Sequence, residues 1–193
     1  MFEELIKSIQ QKVTLSQDEL ETIRHFFIPK KVRKRQYVLN AGDIARHLIF
    51  VEKGLLRSFS VDESGQEHGM QFATEGWWIG DVGSFLSGEE ALYNIEALEE
   101  AELLLMTKSS MDELINELPR MERYFRLLMQ ETMIALQRRL RIVQTRSAEQ
   151  CYLQFMDARP DVVNRAPQQY IALYLGITPE TLSRVRKQIA ERR

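Results

Sequence analysis

The stretch GITPETLSRVRK, residues 176–187, gathers the side chains best suited to do chemistry on a partner. Glu180, Arg184 and Lys187 stand four and three residues apart, which places them on one face of a helix. Thr178, Pro179, Thr181 and Ser183 stand around them. A guanidinium on such a face donates two parallel hydrogen bonds, the fork that matches O6 and N7 of guanine. A carboxylate one turn earlier accepts from the N4 amine of cytosine, and the hydroxyls of Thr181 or Ser183 suit phosphate or thymine. Lys187, with Arg186, Arg192 and Arg193, adds charge that a polyanion meets in a salt-sensitive, sequence-independent way. Plain solvation accounts for each outward charge alone; as a set on one short helix they favour recognition of nucleic acid.

Such a face needs a scaffold. Pro167 opens a helix through QQYIALYL, apolar at Ile171, Leu173 and Leu175, and Gly176 stops it in the left-handed conformation. Thr178 is placed as the N-cap of the next helix, with Pro179 at its first position and Glu180 at its positive end. That helix runs to about Glu191 and buries Leu182, Val185 and Ile189. Small Ala172 at the crossing and Ile177 in the turn complete a helix-turn-helix unit. A purely structural helical hairpin is the alternative.

Other chemistry is scarce. Cys151 is the only cysteine, so no intramolecular disulfide and no cysteine-rich metal or iron–sulfur site can form. His25, His47 and His68 are scattered, without the spacing of a metal pair. No nucleophile–base pair stands out, so an enzyme is not expected, and neither is a metal or other cofactor.

The net charge of −2 conceals an asymmetry. Residues 58–118 hold one basic side chain, Lys108, against 14 acidic ones, whereas residues 119–146 hold seven basic and two acidic. The middle repels polyanions, and the C-terminal third can approach one. Apolar residues at 44% and charged residues at 28% describe a globular chain. No apolar run reaches the roughly 18–20 residues of a membrane span. The acidic start, MFEELIKSIQQKV, lacks the features of an export signal, and a cytoplasmic location is expected.

Residues 3–13 and 16–27 read as short helices, the second with a Ser16–Glu19 capping box and ended by Pro29. KKVRKR, 30–35, reads as a solvated loop, with a nucleic-acid patch as the alternative. From Tyr37 to about Met106, short apolar runs alternate with glycine turns, the pattern of a small antiparallel sandwich or barrel with DESGQE as a hairpin tip. Trp77 and Trp78 are expected to pack in its core. Helix returns at 109–119, and a stretch of close to thirty residues follows without Gly or Pro. Met129, Met133, Leu136, Leu140 and Val143 repeat at 4-3-4-3 spacing along it, a seam for a second copy of the chain. Tyr124, Leu128, Ala135 and Ile142 form a second stripe. The expected division is 1–118, 119–146 and 147–193, and the fold class is α+β.

The whole chain resembles the cyclic-AMP receptor/fumarate-nitrate regulator family of bacterial transcription factors. The likeness rests on YIALYLGITPETLSRVRK and on GDIARHLIFVEKGLLRSFSVDESGQEHGMQFATEGWWIGDVGSF. It implies a cyclic-nucleotide-binding-like β jelly roll, a long dimerisation helix and a C-terminal helix-turn-helix domain. It further implies a homodimer on double-stranded DNA, a small-molecule effector, and RNA polymerase as a further partner. Glu180 and Arg184 match the family's E-x-x-x-R recognition pair, while Pro179 replaces a base-contacting arginine of the cyclic-AMP branch. The chain stops soon after this helix, and the β-hairpin wing often found in the family is not expected. In the sensor, Gly80 and Asp81 match the segment that holds the ribose. Ala91 and Leu92 stand where an arginine and a serine would grip the cyclic phosphate, which removes its bidentate partner. Glu89 and Glu90 add repulsion. An altered or degenerate effector pocket is therefore expected.

Two other readings compete with a DNA-binding regulator of this kind. One makes the same regulator dependent on a cyclic nucleotide. The other is a ligand- or protein-binding module whose helix-turn-helix does not contact DNA.

Overall fold

The computed structural model describes residues 1–192, and of Val143 and Gln144 the helical backbone only. The chain begins with α1 (Glu3–Gln10) and α2 (Gln17–Arg24). Phe2 has no side chain able to cap α1. The cap comes instead from the buried carboxylate of Glu52, which accepts from the amides of Phe2 (2.9 Å) and Leu5 (2.8 Å). Ser16 and Glu19 form the capping box of α2.

Eight strands follow: β1 (Ile28–Val32), β2 (Tyr37–Leu39), β3 (His47–Lys53), β4 (Leu56–Val61), β5 (Glu67–Ala73), β6 (Trp78–Ile79), β7 (Asn94–Ala97) and β8 (Ala101–Thr107). They form two antiparallel sheets, ordered β1-β8-β3-β6 and β2-β7-β4-β5, with α3 (Val82–Ser87) between β6 and β7. Side chains alternate across a strand, and here both faces of the central strands are covered. Ile49, Val51, Leu103 and Leu105 point between the sheets against Leu56, Ile95 and Ala97. Phe50, Leu104 and Met106, one residue out of phase, pack outward on Leu5, Ile9 and Ile23. This double coverage explains the unbroken apolar runs LIFV and LLLM.

The strand region starts earlier than the glycine pattern suggests. The second helix ends at Arg24, and Pro29 lies inside β1, an edge strand of its sheet, where a proline is tolerated. Lys30 and Lys31 belong to that strand rather than to a loop, and Lys31 pairs with Glu102 at 2.9 Å.

From β8 the chain enters α4 (Lys108–Glu117) and then α5 (Arg120–Thr145), with Pro119 at the junction. The C-terminal elements are α6 (Ala148–Ala158), α7 (Pro160–Val163), α8 (Gln168–Leu175) and α9 (Pro179–Glu191). The cluster built from these helices also includes Leu55, Phe72 and Leu98 of the β domain, so the last unit shares a core with the outer face of the second sheet. Among the described residues no helix is long and apolar enough to cross a membrane.

Candidate nucleic-acid interface

The turn between α8 and α9 is built by its own residues. Gly176 adopts a positive φ of 70°, which a side chain would resist. Its amide donates to the Leu173 carbonyl and the Ile177 amide to that of Ala172, the pair of bonds that closes a Schellman end. Thr178 Oγ1 accepts from the Thr181 amide at 3.2 Å and so caps α9, with Pro179 in its first turn. Leu182 and Val185 are buried against α6 and α8, with Ile189 half-buried behind them.

This packing decides what faces out. Thr178, Pro179, Glu180, Ser183, Arg184, Arg186 and Lys187 are exposed and Thr181 is half-buried, so the side of α9 that Leu182 and Val185 leave open carries the residues singled out on it. The carboxyl of Glu180 is held below its usual range by its own backbone amide and the Thr178 hydroxyl, and stays an acceptor. Lys187 reaches Glu191 at 3.9 Å, and Arg192 pairs with Glu149 at 2.5 Å. Among the described residues Arg184 makes no ion pair. Arg193 lies outside the described residues.

Four arginines seat this unit on the second sheet, and local sequence pattern hints at that role for only one of them. Arg165 donates to Glu75 at 2.8 and 2.9 Å and also binds Glu99. Arg159 holds Asp161 and Thr74, donates to the Phe72 carbonyl, and lies 4.3 Å from the centre of the Trp77 ring. Arg57, buried in β4 and paired with Glu67 and Glu96, lies between the rings of Phe59 and Tyr170. Arg139 of α5 donates to the carbonyls of Gly69, Met70 and Tyr174. Burial pushes its pKa down, and no carboxylate opposes the effect. The strand charge inside LLRSF is the one visible hint, since a lone arginine among buried neighbours needs partners.

Along α5, Met129, Met133, Leu136 and Leu140 are exposed at 45, 58, 50 and 60%. The Val143 side chain lies outside the described residues. The second stripe does not stay together. Tyr124 is fully buried, Leu128 and Ile142 are partly covered by different clusters, and Ala135 is exposed.

Gly80, Asp81, Ala91 and Leu92 come together around the start of α3. Asp81 caps that helix by accepting from the Ser84 amide at 3.0 Å, and its second oxygen accepts from the Leu92 amide at 2.8 Å. Ala91 exchanges backbone bonds with Gly42 and Asp43, and the Leu92 side chain is exposed. No cationic side chain belongs to this set. Trp78 packs in the core and donates to the Tyr124 hydroxyl, whereas Trp77 is 43% exposed under Arg159, contrary to the core position expected for both.

Known proteins share this fold. A family model, the cyclic nucleotide-binding domain, matches residues 29–117. The fumarate and nitrate reduction regulatory protein of Vibrio cholerae is 24% identical over 184 residues, covering 89% of this chain and 73% of that protein. The regulatory protein HlyX of Actinobacillus pleuropneumoniae is 25% identical over 190 residues, covering 89% and 76%. Among solved structures, FixK2 from Bradyrhizobium japonicum superposes with a TM-score of 0.73 at 20% identity, covering 86% of this chain and 85% of that one. The Thermus thermophilus catabolite activator protein gives 0.59 at 22% identity, covering 92% and 85%. The chain thus carries a cyclic nucleotide-binding domain over residues 29–117, and its two-sheet β domain, long helix and terminal helix pair, with these relatives, support a regulator of the cyclic-AMP receptor/fumarate-nitrate regulator family.

Proposed function

We propose that the protein is a homodimeric, sequence-specific DNA-binding transcription regulator whose sensor domain does not take a cyclic nucleotide in the family's usual way. The observation that carries this reading is the exposed edge of α9. Glu180, Ser183, Arg184 and Lys187 face out while Leu182 and Val185 anchor the helix. In this reading the N-terminal half of α9 enters the major groove. Arg184 reads guanine and Glu180 cytosine, Thr178, Pro179, Thr181 and Ser183 line the approach, and Lys187 meets phosphate. The relatives bear the names of regulatory proteins, which supports the same class.

Dimerisation follows from the apolar face of α5. Four large apolar side chains at coiled-coil spacing are left open to water, and a second copy of the same helix covers them in register. Two copies of α9 then face adjacent turns of one duplex. The altered sensor rests on Ala91 and Leu92, which offer a cyclic phosphate no charge, and on Asp81, whose two oxygens are already bonded within the chain.

Selection of bound sequences from random duplex DNA tests the proposal. It is expected to enrich an inverted repeat without any added nucleotide. Recovery of no preferred sequence overturns it, and enrichment only when cyclic AMP is present overturns the sensor part alone.

A further inference from the structure

Arg139 stands where three elements meet. Its side chain leaves α5, and one guanidinium nitrogen donates to the Gly69 carbonyl of β5 at 2.6 Å and to the Tyr174 carbonyl of α8 at 2.9 Å. The other donates to the Met70 carbonyl, and the plane lies 4.1 Å from the centre of the Tyr174 ring. Every hydrogen-bond acceptor is a backbone carbonyl, so the contact is indifferent to side-chain identity and sensitive to backbone position. Tyr174 lies in the last turn of α8, where carbonyls lack helical partners and the helix end is negative, and a cation there does both jobs. Gly69 adds closeness from the other side. A Cβ on it would come within 2.8 Å of the Tyr174 backbone, so β5 and α8 touch main chain to main chain.

The position of Arg139 along α5 gives this junction its consequence. It lies between Leu136 and Leu140, the exposed residues through which a second copy would pair. Any pairing that fixes α5 therefore fixes Arg139, and through Tyr174 it fixes α8 and the α9 that follows the Gly176 turn. A lysine cannot replace it, because a single ammonium does not present the planar fork that spans three carbonyls.

We propose that Arg139 is a positioning residue that sets the separation of the two recognition helices, and thereby the half-site spacing that the dimer accepts. This rests on the DNA-binding reading above, and its failure can be told apart from the failure of that reading. The full-length protein, R139K, R139Q and, as an approach from the other side of the junction, G69A are titrated against the selected inverted repeat. The same proteins are titrated against versions with the centre lengthened or shortened by one or two base pairs, and against a single half-site.

Wild type is expected to lose roughly tenfold or more in affinity for each mis-spaced duplex, because a rigid pair of sites tolerates little change in span. The variants are expected to bind the optimal duplex about five- to twenty-fold more weakly, to discriminate spacing by less than about threefold, and to bind the half-site like wild type. Variants that keep the wild-type spacing ratio, or that lose equally on half-site and full site, overturn the role of Arg139. A wild type that prefers no duplex overturns the DNA-binding reading instead. Thermal unfolding midpoints separate a misfolded variant from a loosened one, and R139K keeps the test open if R139Q does not fold.

Discussion

Arg165 grips Glu75 across 90 residues of chain, through two hydrogen bonds of 2.8 and 2.9 Å, and closes the C-terminal unit onto the β domain. Burial alone would raise the Glu75 pKa. The Arg165 bonds and the Gly54 amide outweigh it and hold the carboxyl below its ordinary range. A carboxyl depressed in the folded state contributes stability above its unfolded pKa of about 4.5, lost as pH falls through the lower folded value. Both side chains are partly exposed, so E75Q is expected to cost only about 1–2 kcal/mol at pH 7. Urea unfolding at pH 7 and at acid pH checks this, since the gap between wild type and E75Q should shrink in acid. A gap that stays constant would mean that Glu75 acts by shape and not by charge.

Gly69→Ala tests contact without charge. The new methyl must displace the Tyr174 backbone, which lies 2.8 Å from its position. Overpacking of this kind costs about 1–3 kcal/mol. Denaturation should show that loss, and backbone amide shifts should concentrate around Tyr174 and Gly176. Unchanged stability would show that β5 and α8 are not in main-chain contact.

The open face of α5 makes a prediction about assembly. Leu136→Glu with Leu140→Glu puts charge where a partner helix would lie, at sites half-exposed in the single chain. Sedimentation should give twice the 22.7 kDa chain mass for wild type and a single chain for the double variant. Stability of the isolated fold should change by no more than about 0.5 kcal/mol per site. A wild type that sediments as a monomer contradicts the dimer.

The sensor loop makes another. On the proposed reading, Ala91 and Leu92 offer the cyclic phosphate no cation, and Asp81, with both oxygens engaged within the chain, is not free for the ribose. If the dissociation constant of cyclic AMP lies above about 1 mM, then 1 mM nucleotide adds less than about 0.4 kcal/mol, a midpoint shift of under about 2 °C. A saturable shift several times larger would restore the nucleotide to this site.

Much of the architecture is legible in local pattern, because its causes are local. Gly176, Thr178 and the Leu182–Val185 pair define the final helix pair, since each settles a turn, a cap or a buried face within a few residues. The start of the β domain is less legible. In β1 only Val32 is buried, Lys30 is half-buried and the other three residues are exposed, so the strand carries no apolar alternation to read. The second stripe on α5 misleads for a related reason. Helical spacing says which residues share a face, and not that Tyr124 and Ile142 meet different cores far apart on the same helix. The seating of α8 and α9 on the sheet is the least legible part. Arg139, Arg159 and Arg165 look like ordinary surface charges in the sequence, Arg57 stands out only as a charge inside LLRSF, and the fold alone brings the four to their carbonyls, rings and carboxylates.

The account is tested most directly by a coupling cycle between Arg184 and the base it is assigned. Once a symmetric site has been selected, wild type and Arg184→Ala are titrated against it and against a duplex with that guanine replaced in both halves. Arg184 is expected to confer about 1–3 kcal/mol on the guanine-bearing site and almost nothing on the replaced one. An equal loss on both duplexes, or none on either, would contradict a base-reading edge on α9.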